Sequence, residues 1–141
     1  MEKYVSLEIA ILLKDKNFNL KTHHYFGKHK YDKKYSEYSG YNDDYWGDNY
    51  YYDWNSNGEP FKPFFKNVYS RPDVYEVCDW FSEKYNIILI PTFSEFSRTY
   101  GYKIYHIING KTTTINNMFK KDNSIYDALK DGIKYILTNL L

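Results

Sequence analysis

The sequence predicts an α+β fold in two layers, a three-stranded antiparallel meander packed with about three helices, with a long irregular Tyr-rich insertion. Three observations predict it. Residues 74–85 and 125–140 carry apolar side chains at three- and four-residue intervals, which is typical of helices. The intervening chain has strand patterns joined by the hairpin dipeptide Asn109-Gly110. Between residues 31 and 63, Gly, Pro, Asp and Asn interrupt every regular period.

At 141 residues the chain has the usual length of one domain, so we predict a single domain over residues 1–141. Tyrosine supplies 18 residues and phenylalanine 9, so the core must consist of aromatic, Ile and Leu side chains.

The first half of the chain gives fewer local signals than the second. Ser6 can cap an apolar helix that ends near Asn17. The stretch "LKTHHYFGKHKY" has strand-forming residues on both sides of Gly27 and fits either a short hairpin or an extended edge. Within the irregular segment 31–63, tyrosines at helical spacing leave a short helix to about Ser39 open.

The second half is more regular. A helix is expected with Ser70 or Arg71 before it and Pro72 in its first turn. The last helix begins at Ser124 and is interrupted only by Gly132. The run "IILIPTF" (Ile87 to Phe93) is continuously apolar, which predicts a strand covered on both faces and ended or bent by Pro91. "YGYKIYHIING" then alternates and returns through "KTTTINNMF".

The charge distribution separates the aromatic segment from the rest. Residues 31–60 carry two basic and seven acidic groups, whereas residues 1–30 and 61–141 each have an excess of three basic groups. An acidic aromatic segment repels nucleic acid and attracts a basic protein partner. The opening helix looks like that of excisionase-type helix-turn-helix proteins, but no recognition helix follows it, so nucleic-acid binding is disfavoured.

Features of the chain also bear on its compartment. Cys78, the single cysteine, excludes an internal disulfide and reads as a buried helix residue. The apolar run near the N-terminus is too short for a signal or transmembrane segment. We therefore expect a cytoplasmic protein that does not enter a membrane.

Candidate chemistry is sparse. His23, His24 and His29 with Asp32 are the residue types of a metal site, but adjacent histidines on a strand point to opposite faces, so we predict no metal and no cofactor. His106 fits a hydrogen-bonded, half-buried strand residue better than a catalytic base.

The polar stretch "SEFSRT" fits either an anion-binding loop or an ordinary connection. No phosphate-binding glycine loop, GxSxG, HExxH or CxxC pattern occurs, so we expect a protein that is not an enzyme.

Three stretches carry a family resemblance: "YVSLEIAILLKDKNF", "RPDVYEVCDWFSEKYNIILI" and "SIYDALKDGIKYILTNLL". In order, they resemble small uncharacterised proteins of phages and prophages of gut bacteria, with a YVSLE-A-LLK helix, a Tyr-rich variable stretch, a P-----WLRE-HNI helix and strand, and an EAL-type terminal helix. The chain departs from the pattern at "WFSEKYNI", where Glu83 and Lys84 replace the WLRE charges. The resemblance implies a phage-derived accessory protein in the host cell that works by stoichiometric binding, and it supplies no catalytic residues.

The leading hypothesis is binding to a host or defence protein with a basic surface, including inhibition of a host defence system. Tyr and Trp give a large contact area for little side-chain entropy. The expected binding residues are Tyr41, Tyr45, Trp46, Tyr50, Tyr51, Tyr52 and Trp54.

Two alternatives stay open. One is a small-ligand or nucleotide sponge with tyrosine walls, in which Arg98, Lys103 or Lys111 contacts phosphate. The other is a virion or homo-oligomeric component whose aromatic residues pack between subunits. The sequence leaves equally open whether the aromatic rings of the segment complete the core or face a partner.

Overall fold

The computed structural model describes residues 2–29, 33–39, 53–55 and 65–141. In these residues the order of elements is α1 (Leu7–Asp15), β1 (His24–His29), β2 (Ser36–Ser39), β3 (Phe65–Ser70), α2 (Val74–Tyr85), β4 (Ile87–Ser94), β5 (Thr99–Ile108), β6 (Lys111–Asp122) and α3 (Ile125–Asn139). Helices and antiparallel strands occur together, so the predicted α+β class is confirmed.

The chain groups into two compact units. The N-terminal unit is Val5–Pro72, and the C-terminal unit is Met1–Tyr4 with Asp73–Leu141. Each unit has its own three-stranded sheet. The single domain over residues 1–141 stays a prediction.

The C-terminal unit contains the predicted meander, with strand order β4-β5-β6 and both pairs antiparallel. The turn between β5 and β6 consists of Asn109 and Gly110, whose φ values of 51° and 76° belong to the type I′ turns that match strand twist. Helices α2 and α3 both contact β4, and α3 also contacts β5. The two helices therefore form the second layer.

Both helices of the C-terminal unit have well-formed ends. At the start of α2, the Asp73 carboxylate accepts hydrogen bonds from the N–H groups of Tyr75 and Glu76, and the Glu76 side chain accepts one from the Asp73 N–H. This reciprocal capping box satisfies N–H groups that have no partner inside the helix. Asn86 ends α2 in the left-handed region. Because Asp73 is its cap, α2 begins after Pro72 and not with Pro72 in its first turn. Ser124 caps α3, which begins one residue later at Ile125.

The prediction that β4 is covered on both faces is wrong. Ile87 and Leu89 are buried beneath the helices, but Ile88 and Ile90 on the opposite face are 40% and 39% exposed. The same outer face carries Tyr105, the cross-strand partner of Ile88. A continuous apolar run therefore marks here a strand with one covered and one open apolar face.

Pro91 neither ends β4 nor removes a bond from the sheet. The Ile107 N–H donates to the Asn86 carbonyl at 3.1 Å, which makes Asn86 and Ile107 a hydrogen-bonded pair. In an antiparallel ladder such pairs alternate, so Ile88 and Ile90 bond to β5 while Pro91 faces the free side. A proline is tolerated at that position because no ladder bond needs its missing N–H.

The N-terminal unit contains a second sheet, with order β2-β1-β3, that the sequence did not reveal as a sheet. Gly27 lies within β1 opposite Ser36 and Val68, not at a turn, and β1 is the central strand and not an edge. The possible helix ending near Ser39 is strand β2, because pairing with β1 overrides the helical spacing of the tyrosines.

Helix α1 agrees with its prediction. The Ser6 side chain accepts a hydrogen bond from the Ile9 N–H at 3.3 Å, and Asn17 leaves the helix with a φ of 63°. Ile9, Ala10 and Leu13 are buried, and α1 contacts β3.

Gly132 allows α3 to lie close to the sheet. A Cβ atom at this position would lie 2.5 Å from Leu89 Cδ1 and 3.2 Å from Tyr102 Cγ, and both of those side chains are buried. We expect Gly132→Ala to lower the free energy of unfolding by about 1–2 kcal/mol, because overpacking costs more than the helix propensity gained. Urea denaturation followed by circular dichroism measures this, with Lys134→Ala on the exposed side of α3 as the control. An equally stable or more stable Gly132→Ala protein would contradict the prediction.

Candidate functional site

Residues 53–55, which belong to the predicted irregular segment 31–63, contact the core of the N-terminal unit. Trp54 is fully buried, and its indole Nε1–H donates to the Thr22 carbonyl at 2.7 Å. The indole stacks on the Tyr25 ring with centroids 4.1 Å apart, and Tyr25 stacks in turn on Tyr38 at 5.4 Å. Val68 completes this cluster. The indole therefore has both an apolar environment and the hydrogen bond that a buried N–H requires.

Asn55 connects residues 53–55 to two further parts of the unit. Its amide Nδ2 donates to the Phe18 carbonyl at 2.8 Å, and its Oδ1 accepts from the Ser70 N–H at 2.9 Å. Its own N–H donates to Asp53 Oδ1 at 3.1 Å, an Asx-type turn. We call residues 53–55 the anchor tripeptide. In the sequence, β2 precedes residues 40–52 and the anchor tripeptide follows them.

The anchor changes the acidities of neighbouring groups. Burial raises the pKa of Tyr25 to about 12, and the adjacent Tyr38 adds to the shift. Burial also raises the pKa of the Asp53 carboxyl, although the Asn55 N–H and the Lys14 charge act in the opposite direction. Burial therefore disfavours the charged form of both groups.

Two cations of the N-terminal unit have internal partners. Lys14 donates to the Val68 carbonyl at 3.1 Å and lies 4.9 Å from the centre of the Tyr69 ring. The buried Arg71 donates from Nε to the Val5 carbonyl at 3.4 Å, lies over the Phe26 ring and pairs with Glu37 at 3.4 Å. These contacts give both side chains a structural role.

The expected binding residues divide into two groups. Trp54 is a core residue, so the expectation that its ring faces a partner does not hold for it. The other expected residues lie outside the described part of the chain, and their role stays a prediction: Tyr41, Tyr45, Trp46, Tyr50, Tyr51 and Tyr52. Asp53 and Asn55 flank Trp54 and can bond nearby backbone, but Asp or Asn also neighbours Tyr41, Tyr45, Tyr50 and Tyr52, so the local sequence does not single out Trp54.

The cations proposed for phosphate contact do not form one site. Arg98 precedes β5 and Lys111 follows it, and the ten residues of the strand separate them by about 33 Å. Lys103 lies within β5 opposite Ile90 and 5.5 Å from the Tyr105 ring.

The polar turn before β5 uses its own hydroxyl groups. The Ser94 Oγ accepts from the Ser97 N–H at 3.3 Å, and the Ser97 and Thr99 hydroxyl groups are 2.6 Å apart. Arg98 has a φ of 54°, and its N–H donates to the Ser94 carbonyl at 2.7 Å. These bonds favour the interpretation of an ordinary connection.

The histidines do not assemble a metal site in the described residues, where no group of three or more His, Cys, Asp or Glu could hold an ion. The rings of His23 and His24 meet edge to face at 5.0 Å. Asp32 lies outside the described residues. His106 is half-buried in β5 between Ile87 and Thr113.

Comparison of the chain with protein-family models, curated proteins and solved structures found no match. The resemblance to phage and prophage proteins therefore stays a prediction. Across the described ranges, no helix combines the length and apolar character needed to cross a membrane.

Replacing Trp54 with Phe should destabilise the protein. The substitution leaves the Thr22 carbonyl without its donor, and a buried polar group that loses its partner costs about 1–3 kcal/mol. Urea denaturation measures the loss, and Tyr75→Phe provides the control because it removes a hydroxyl from a ring that is 48% exposed. Equal stability of Trp54→Phe and the parent protein would show that the indole bond is not an anchor.

Cys78 should react slowly with alkylating reagents. Burial, with added repulsion from Asp79 and Asp73, raises the pKa of its thiol to about 12. Since only the thiolate is nucleophilic, iodoacetamide at pH 8 should react on the order of a thousandfold more slowly than with free cysteine. The thiol favours the folded state fully below its unfolded pKa near 9, and this contribution disappears as the pH rises towards 12. Mass spectrometry follows the reaction, the urea-unfolded chain is the control, and a rate equal to that control would contradict the assignment.

Proposed function

We propose that this chain is a phage-derived accessory protein that binds a protein partner stoichiometrically, through residues 40–52. The observation that carries the proposal is the anchor tripeptide. Residues 40–52 come between β2 and the anchor tripeptide, and Trp54 and Asn55 of the tripeptide bond to the N-terminal unit. Flanking residues held in this way reduce the entropy lost when the segment between them binds a partner.

The composition of residues 40–52 suits a basic protein surface. They contain three Asp, no Lys or Arg, and six aromatic residues. Aromatic side chains supply contact area, and carboxylates between them attract cations and speed the encounter. The proposed partner is a host or defence protein with a basic surface, bound in the host cytoplasm, and inhibition of that defence is the proposed consequence.

The test requires a variant that loses the aromatic residues but keeps the anchor. We expect a chain with Tyr41, Tyr45, Trp46, Tyr50, Tyr51 and Tyr52 all changed to Ser to keep its stability while Trp54 is retained. Capture from lysate of a natural bacterial host should then lose the protein that the parent chain retains in a one-to-one ratio. The matched control changes six exposed residues of the C-terminal unit to Ser in the same way: Tyr75, Ile88, Ile90, Phe93, Phe96 and Ile108.

Two outcomes would contradict the proposal. One is a serine variant that folds and captures the same partner as the parent chain. The other is a control variant that folds and alone loses the partner.

A second candidate, binding of a small ligand, is favoured by a cleft in the C-terminal unit. Three tyrosines from α2, β5 and α3 line it, namely Tyr75, Tyr100 and Tyr126, and its volume is about 190 Å³. That volume suits one small ring stacked on tyrosine and not a larger cofactor. Native mass spectrometry of protein purified from its host would support this candidate by a bound small molecule, and the leading proposal by a bound protein.

A further inference from the structure

The outer edge of β6 presents backbone groups without a strand beside them. In the described part of the chain, β6 is the last strand of its sheet and pairs with β5 alone. Because Ile107 bonds to Asn86, the odd-numbered residues of β5 bond to β4 and the even-numbered ones to β6. In the register of β5 with β6, Ile104 and His106 therefore bond to Ile115 and Thr113.

It follows that Thr112, Thr114 and Asn116 direct their N–H and C=O groups away from β5. These three residues are exposed. A row of open backbone donors and acceptors on an edge strand is a template for another strand.

The two edges of this sheet are protected differently. On β4, Pro91 takes a position whose N–H would face outward, so it interrupts the row of donors on that edge. Residues 112–119 of β6 have no proline and no charged side chain. Proline and inward or edge charges are the usual protections against strand addition, and this part of β6 has neither.

The positive charge of β5 and β6 indicates the charge of the segment that β6 would accept. Lys111 precedes the uncharged run, and Lys120 and Lys121 follow it. Lys103 lies across from Asn116 on the neighbouring strand. Residues 99–122 carry four Lys and one Asp, a net charge of +3, although the whole chain has a net charge of +1.

We propose that β6 accepts an extended acidic segment of a partner protein as a fourth strand of the sheet. Backbone hydrogen bonds to Thr112, Thr114 and Asn116 would supply the pairing, and the net positive charge of residues 99–122 would attract the carboxylates of the segment. This site lies in the C-terminal unit and uses a charge opposite to that of residues 40–52, so it is separate from the proposed function.

A second copy of this chain is a poorer occupant of the same edge. Antiparallel pairing of β6 with itself, centred on Thr114, would place Lys111 opposite Asn117 of the other copy. Each copy would also bring the net charge of +3 of its residues 99–122 to the joined sheets. Like charges close together on paired strands are unfavourable, whereas an acidic segment neutralises them.

The test uses three synthetic peptides and the full chain. The first peptide is Glu-Glu-Val-Thr-Val-Thr-Val-Glu-Glu, and the second has Lys in place of every Glu. The third has the sequence of the first, with N-methyl groups on alternate residues of each of its two edges, so that neither edge can pair. We expect saturable amide shifts at Thr112, Thr114 and Asn116 with the first peptide in NMR titrations. Hydrogen exchange at these amides should slow at least tenfold. The Lys and N-methylated peptides should bind at least tenfold more weakly.

Two substitutions of Thr114 test the same edge from the protein side. Thr114→Pro should abolish binding without removing a bond to β5, because the N–H of residue 114 faces the free edge. Should proline disturb the fold, Thr114→Asp places a repelling charge at the site while keeping the backbone N–H. Ser82→Asp on the exposed side of α2 adds the same charge elsewhere and should bind the first peptide like the parent chain.

Several results would overturn the proposal. Equal binding of the N-methylated peptide would exclude strand addition, and equal binding of the Lys peptide would exclude recognition of acidic segments. No binding of the first peptide at millimolar concentration would exclude the site. Concentration-dependent protection of these amides without any peptide would assign the edge to a second copy of the chain.

Discussion

The hydrogen bond from the Trp54 indole to the Thr22 carbonyl holds the anchor tripeptide in the core of the N-terminal unit. A buried indole N–H needs an acceptor, and Thr22 precedes β1, the central strand of the sheet. The same tripeptide holds Phe18 after α1 and Ser70 at the end of β3 through Asn55. One short stretch therefore connects the helix, the central strand and an edge strand. The tripeptide lies among the 25 residues between β2 and β3, so it gives this long connection a contact with the core.

The C-terminal unit could be predicted from sequence because its signals are local. Asn109-Gly110 sets the β5–β6 turn, and the apolar periods of α2 and α3 lie within single elements. The two features of this unit that the sequence predicted wrongly, the exposure of β4 and the effect of Pro91, depend on which elements pack or pair beside them. Whether Ile88 is covered depends on what packs on the outer face, and whether Pro91 ends a strand depends on which side of the ladder it occupies. Neither can be read from the residues themselves.

The N-terminal unit is harder because its sheet pairs distant residues. Gly27 looks like a turn residue, but it lies in a central strand between Ser36 and Val68. Strand β3 pairs with β1 about forty residues earlier, a long-range contact that no local period reveals. For the same reason sequence composition could not separate Trp54 from the other aromatic residues. Its burial is decided by the acceptor at Thr22 and the stacking partner at Tyr25.

The near-neutral net charge of the chain hides two segments of opposite sign. Residues 40–52 carry three carboxylates and no Lys or Arg, whereas residues 99–122 carry a net charge of +3. Two consequences follow from this separation. Each segment favours a partner of the opposite charge, and different copies of the chain attract one another at low ionic strength. At physiological salt the Debye length is about 8 Å, so this mutual attraction is screened, whereas close contacts with a complementary partner persist. Binding that survives physiological salt therefore reports complementary contacts rather than the asymmetry of charge alone.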